Sequence, residues 1–115
     1  MSPTEKNNQR KEARFSENLE LLLSDGKIFV NSIIYDISIG GIGIESSKML
    51  EEGEEIQLVI DSDPPVKVKG IVRWCHKSGL RYHLGVEFSN LNPGEQWEIH
   101  RIVSAKKYWE LNKQL

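Results

Sequence analysis

The chain has 115 residues, 38% of them hydrophobic, with a formal net charge of -2 and a pI near 5.9. That size and apolar share suit one domain with a modest core, and the acidic balance argues against neutralising a long polyphosphate. No run of roughly 18 apolar residues is present, MSPTEKNNQRKE has no apolar h-region, and the lone Cys75 excludes an internal disulfide, so the chain reads as soluble and cytoplasmic.

In chain order, residues 1–13 are polar and without periodicity, which predicts a mobile leader. Lys6, Arg10, Lys11 and Arg14 stand there against Glu5 and Glu12, a local basic excess that suits a small anion better than a long one. ENLELLLSDGKIFVNSIIYD reads as two strands joined by a two-residue hairpin turn at Asp25-Gly26, with Leu19, Leu21 and Leu23 on one side. IGIESS predicts a third strand and, beyond a turn at Gly53, EEIQLVID predicts a fourth. Asp63-Pro64-Pro65 breaks the chain before VKVKGIVRWCH, where Val66, Val68, Gly70, Val72 and Trp74 alternate with Lys67, Lys69, Ile71 and Arg73. RYHLGVEF alternates equally well, with Tyr82, Leu84, Val86 and Phe88 inward. A three-residue loop Lys77-Ser78-Gly79, with Gly79 left-handed, then pairs Trp74 with Tyr82, Val72 with Leu84 and, on the outer face, Lys69 with Glu87.

NLNPGEQWEIHRIVSAKKYWELNKQL predicts the one helix. Asn92 caps it, Pro93 occupies its first turn and Glu95 closes a capping box. Ile99, Ile102, Val103 and Ala105 form the expected packing face, with Trp109 beyond, while Lys106, Lys107 and Lys113 complement the macrodipole. Six strands and a terminal helix predict an all-β fold: a leader at 1–13, an antiparallel barrel at 14–90, and a helix at 91–115 covering the open side.

Two short stretches carry candidate chemistry. Arg10 and Arg14 share a side whether their segment turns helically or runs extended, and each guanidinium fork can grip a phosphate or the O6/N7 edge of guanine. Locally, surface ion pairs with Glu12 or Glu17 account for them as well. In Asp36-Ile37-Ser38-Ile39-Gly40-Gly41, Asp36 and Ser38 project to one face. The carboxylate can accept from a base N–H, the hydroxyl can donate, and Gly40 and Gly41 permit a tight turn and close approach. A side-chain turn that simply ends a strand is the other reading.

Arg10-x-x-x-Arg14 followed by Asp36-x-Ser38-x-x-Gly41 resembles the two-part signature of the PilZ domain family. Gly70-x-Val72-x-Trp74 and Gly85-Val86-x-Phe88 resemble that family's late-barrel pattern, so the likeness runs from about Arg10 to Ile102. The resemblance implies a six-stranded antiparallel barrel that binds the bacterial second messenger cyclic di-GMP. It implies ligand contacts from Arg10, Arg14, Asp36 and Ser38, with Gly40 and Gly41 shaping the turn. Gln9 stands where some relatives carry a further arginine linked with gripping two stacked ligands, so one ligand per chain is expected. Stand-alone members of the family act as adaptors toward a separate protein, in motility or surface-polysaccharide output.

Other groupings are less productive. Cys75, His76, His83 and His100 lack metal-ligand spacing, and Asp36 with Ser38 has neither a placed histidine nor a nucleophile elbow. The chain is therefore read as a binding module rather than an enzyme, with no metal. Trp74 is assigned to the barrel core and the glutamates at 51, 52, 54 and 55 to a solvated loop. Trp97, Tyr108 and Trp109 leave room for a monomer or a weak homodimer. The alternative function is a barrel that binds a protein or single-stranded nucleic acid without cyclic di-GMP, which predicts a basic, aromatic-studded sheet face.

Overall fold

Each predicted strand sends every second side chain to one side, and in the computed structural model, which describes residues 19–113 and side chains through residue 107, those sides converge on one core. Among the described residues the strands are β1 (Leu19–Ser24), β2 (Phe29–Ile37), β3 (Gly41–Ser46), β4 (Glu55–Ile60), β5 (Val66–Ser78) and β6 (Arg81–Phe88), followed by α1 (Pro93–Lys113). All pairings are antiparallel and the ring closes in the order β1-β2-β3-β6-β5-β4. Leu21 and Leu23, Ile34, Ile42 and Ile44, Ile56, Leu58 and Ile60, Val66, Val68 and Val72, and Leu84 and Val86 fill its interior.

Closure leaves no strand edge for a helix to cover, so α1 does a different job from the expected one. It lies at the barrel end where β1 begins and β2, β4 and β6 finish, and inserts Ile99, Ile102 and Val103 into the same core. Ala105, expected on this face, is exposed, because the buried stripe is narrower than the apolar run of the sequence. The capping box forms as expected: Glu95 N–H donates to Asn92 Oδ1 at 2.8 Å and Asn92 N–H to Glu95 Oε1 at 2.9 Å. Tyr108 and Trp109 lie beyond the described side chains. No helix among the described residues is long and apolar enough to cross a membrane.

Two hairpins depart from the expected register. Between β1 and β2, Ser24 pairs with Phe29, which leaves residues 25–28 as the loop rather than Asp25-Gly26 alone. Asp25 enforces the longer turn: its Oδ1 accepts from Lys27 N–H at 3.0 Å and Ile28 N–H at 3.4 Å, and Gly26 takes φ 99. Between β5 and β6, Ser78 pairs with Arg81 around Gly79-Leu80, with Gly79 left-handed at φ 63. A bulge at Arg73 then shifts every later partner. Val72 faces Val86 and Trp74 faces Gly85; Glu87 stands opposite Ile71, not Lys69, and its carboxylate bonds the Arg73 guanidinium.

The far end of the barrel is closed by satisfied hydroxyls. Buried Ser24 Oγ accepts from Gly26 N–H at 3.1 Å and buried Ser46 Oγ from Lys48 N–H at 3.1 Å. Lys48 in turn meets Asp25 at 3.0 Å.

Two outcomes follow for stability. Ile44→Ala or Leu58→Ala, each at a fully buried position, is expected to cost about 2–5 kcal/mol in urea titrations, since the ring of strands has little room to collapse. The Lys27 N–H and the Lys48 ammonium hold the Asp25 carboxyl down to about 2 from 3.8. Because the folded value is the lower one, this stabilisation is complete above about pH 4 and lost as pH falls toward 2. Asp25→Asn should therefore flatten the fall of the urea midpoint across that window; an unchanged slope would exclude the carboxylate as its source.

Candidate functional site

The geometry of the site begins with two irregularities in strands that otherwise alternate. In β2 the register shifts between Ile34 and Asp36, and in β5 between Val72 and Trp74. Each bulge turns two consecutive side chains outward, Tyr35 with Asp36 and Arg73 with Trp74. Trp74 is thus 39% exposed instead of lying in the core. Cys75 takes its place against the interior.

Between these strands run β3 and β6, where Gly43 pairs with Gly85. The row Asp36, Gly43, Gly85, Trp74 crosses four strands in register. A Cβ on Gly43 would stand 2.8 Å from Tyr35 Cζ, and one on Gly85 would collide with the Trp74 indole. The two aromatic rings therefore pack against a glycine strip, a close approach that no other residue permits. His83 braces Tyr35 at a centroid distance of 5.0 Å, and His76 braces Trp74 at 5.1 Å.

Asp36, Ser38, Gly40 and Gly41 all line the shallow groove above this strip, about 290 Å³ in volume, together with Tyr35, Arg73, Trp74 and Glu87. Ile37 between them points into the core, so Asp36 and Ser38 share the outer face as their spacing predicts. Ser38 also closes the β2–β3 turn: its N–H donates to Gly41 C=O at 2.9 Å and its hydroxyl lies 3.4 Å from the same oxygen. Gly41 is needed for space rather than for φ, because a Cβ there would sit 2.5 Å from Val86 C=O. Gly40 meets no such obstacle; its carbonyl accepts from Phe88 N–H at 3.0 Å.

The groove is electrostatically mixed. Asp36 and Glu87 are its carboxylates, and among the described lining residues Arg73 is the one cation. Arg73 Nε donates to Glu87 Oε1 at 2.8 Å, and Nη2 bonds the same oxygen. Partial burial, reinforced by the Asp36 charge, pushes the Tyr35 hydroxyl upward and keeps it a proton donor. Arg10 and Arg14 lie outside the described residues. Alternation puts Arg73 and Glu87 on the outer face without tying them to a site, and it puts Trp74 in the core; the available signal for the site is the glycine within each of IGIESS and RYHLGVEF, which marks a close approach in a strand interior.

A larger cleft of about 710 Å³ runs between α1 and the barrel end. Its walls include Leu19, Ile34, Ile37 and Ile102, and it contains neither Asp36 nor Ser38. Asp61, Ser62, Asp63, Arg101 and Lys106 line it as well, apart from the residues that the signature motifs single out. Among the described residues no group of three His, Cys, Asp or Glu gathers to hold a metal ion.

The fold is shared with solved structures. The PilZ domain with c-di-GMP of YcgR from Escherichia coli superposes with a TM-score of 0.71 at 16% identity, covering 84% of this chain and 87% of that one. The Bacillus subtilis inhibitor of motility MotI/DgrA superposes with a TM-score of 0.67 at 18% identity, over 87% of this chain; the chain spans 50% of MotI/DgrA. No curated protein sequence matches. The family model for the PilZ domain matches residues 8–105, a span that holds both arginines, the Asp36–Gly41 turn and the aromatic strip. The chain belongs to the PilZ domain family.

Proposed function

We propose that this chain is a cyclic di-GMP receptor of the bacterial cytoplasm, working as an adaptor without catalytic activity. One observation carries the reading: within a PilZ domain, two bulges deliver a carboxylate and an indole to opposite ends of a glycine strip whose rim is the Ser38–Gly41 turn. Cyclic di-GMP offers two guanines and two phosphates, which match a stacking surface, a carboxylate and arginine forks.

In this mechanism Asp36 accepts from the N1–H and amino group of a guanine and Ser38 lends its hydroxyl to the ligand. Gly40 and Gly41 let the ligand reach the turn, and Trp74 offers its exposed face to a base. Arg10 and Arg14 close from the leader onto phosphates and guanine edges. The leader orders only when ligand is present, so part of the contact energy offsets its lost freedom and the affinity is moderate. Gln9 in place of a further arginine favours one ligand per chain. The closed leader changes the surface offered to a partner protein, which is how an adaptor passes the signal on.

A barrel for single-stranded nucleic acid gains one point from the structure, since Trp74 and Tyr35 face outward and not inward. It loses more: Asp36 and Glu87 flank those rings and would repel a polyanion.

Arg10→Ala with Arg14→Ala should leave the thermal midpoint of the free protein unchanged and abolish the calorimetric heat of cyclic di-GMP binding. Retained affinity in the double variant would exclude the leader from the site. Trp74→Ala should weaken binding by about tenfold or more, as loss of a base–aromatic stack does. In thermal-shift comparison the dinucleotide should stabilise the protein by about 2.7 kcal/mol at a hundredfold excess over Kd, where GMP and an oligonucleotide do little.

A further inference from the structure

The bulge in β5 sets Arg73 beside Trp74 on the outer face, and both line the groove that holds Asp36. Arg73 is not free to wander. Its Nε and Nη2 both bond Glu87 Oε1 across the β5–β6 pair. That interaction uses the side edge of the guanidinium and leaves Nη1 and the second Nη2 hydrogen on the end edge, which is itself a two-donor fork. Glu87 thus acts as a positioning residue, holding a planar fork in fixed orientation next to an indole.

A fork beside a stacking surface fits guanine better than any other base. Stacking is indifferent to base identity, but two parallel N–H donors match the adjacent O6 and N7 acceptors of guanine, where adenine presents a donor and an acceptor. Asp36 stands at the other end of the row, about 14 Å away across three strand spacings. One base cannot reach both ends. The carboxylate reads the opposite, N–H-bearing edge of guanine, so the two ends carry complementary tests for the same base.

We infer that Arg73, oriented by Glu87, reads the O6/N7 edge of the guanine stacked on Trp74, so that the barrel itself selects guanine at both ends of the groove. This rests on the proposed cyclic di-GMP reading and adds to it a specificity-determining residue outside the two signature motifs. It also gives the Arg73–Glu87 pair a use, since an exposed ion pair of this kind contributes little to stability.

The test is calorimetric titration of the full chain with cyclic di-GMP and with its analogue carrying 7-deazaguanine, in which N7 becomes C–H. Wild type should lose about tenfold in affinity for the analogue, and Arg73→Gln should lose at least about tenfold for cyclic di-GMP itself. Arg73→Gln should then show no further loss on changing to the analogue, and Arg73→Lys, which keeps the charge but not the fork, should not restore binding. Unchanged affinity in Arg73→Gln, an undiminished response of that variant to the analogue, or full rescue by lysine would each overturn the assignment while leaving the receptor reading intact. Absence of cyclic di-GMP binding by wild type would end both. Thermal melts of the variants check that the exposed substitutions leave the fold unchanged.

Discussion

The site depends on a steric fact, the absence of two Cβ atoms. Gly43 and Gly85 are cross-strand partners, and only because both lack side chains can Tyr35 and Trp74 lie across them. A residue of any other type at position 85 would lift the indole from the barrel wall, and one at position 43 would displace the Tyr35 ring. With the rings displaced, Asp36 and Arg73 would lose the surface on which, on the proposed reading, a flat ligand meets them. Strand interiors tolerate glycine at a cost in conformational entropy, so a facing glycine pair is explained by what must pack on top of it.

The same strand ends also connect the groove to the rest of the molecule. Ile37 enters the core at the barrel end under α1, while its neighbours Asp36 and Ser38 face the groove. Lys106 of α1 reaches the Tyr35 carbonyl at 3.5 Å. Residues that touch the ligand on the proposed reading are therefore one residue removed from those that seat the helix. A close-packed interior transmits small displacements, so a change at the groove would, on that reading, be felt at α1.

Much of this architecture was legible from alternation. β6 runs over the expected residues, the inward set of β5 up to Val72 is the one its pattern indicates, and the capping box at Asn92 and Glu95 forms as written. Asp36 and Ser38 share a face for the simplest reason, their spacing. What alternation could not reveal is where it stops. A bulge adds one residue and reverses the faces beyond it, so Trp74 moves from core to surface and Cys75 replaces it. No propensity marks that position; the constraint is three-dimensional, set by the pairing of Ser78 with Arg81 at one end of the hairpin and of Gly70 with Phe88 at the other. The closed ring likewise needs the β1–β4 pairing, a contact between strands distant in sequence.

Charge explains why such a site would be divided between a barrel and a leader. The described groove holds two carboxylates and one guanidinium already shared with Glu87. Alone, that surface offers a doubly charged nucleotide good shape and base recognition but little electrostatic attraction. On the proposed reading, Lys6, Arg10, Lys11 and Arg14 would supply what the barrel lacks. A site divided this way would make affinity depend on the leader and base selection depend on the barrel. It also discourages longer polyanions, because a strand of nucleic acid continuing past the groove would meet Asp36 and Glu87 without gaining further cations from the wall. A small ligand that two separate parts of the chain must grip together is well suited to a switch, since neither part holds it alone.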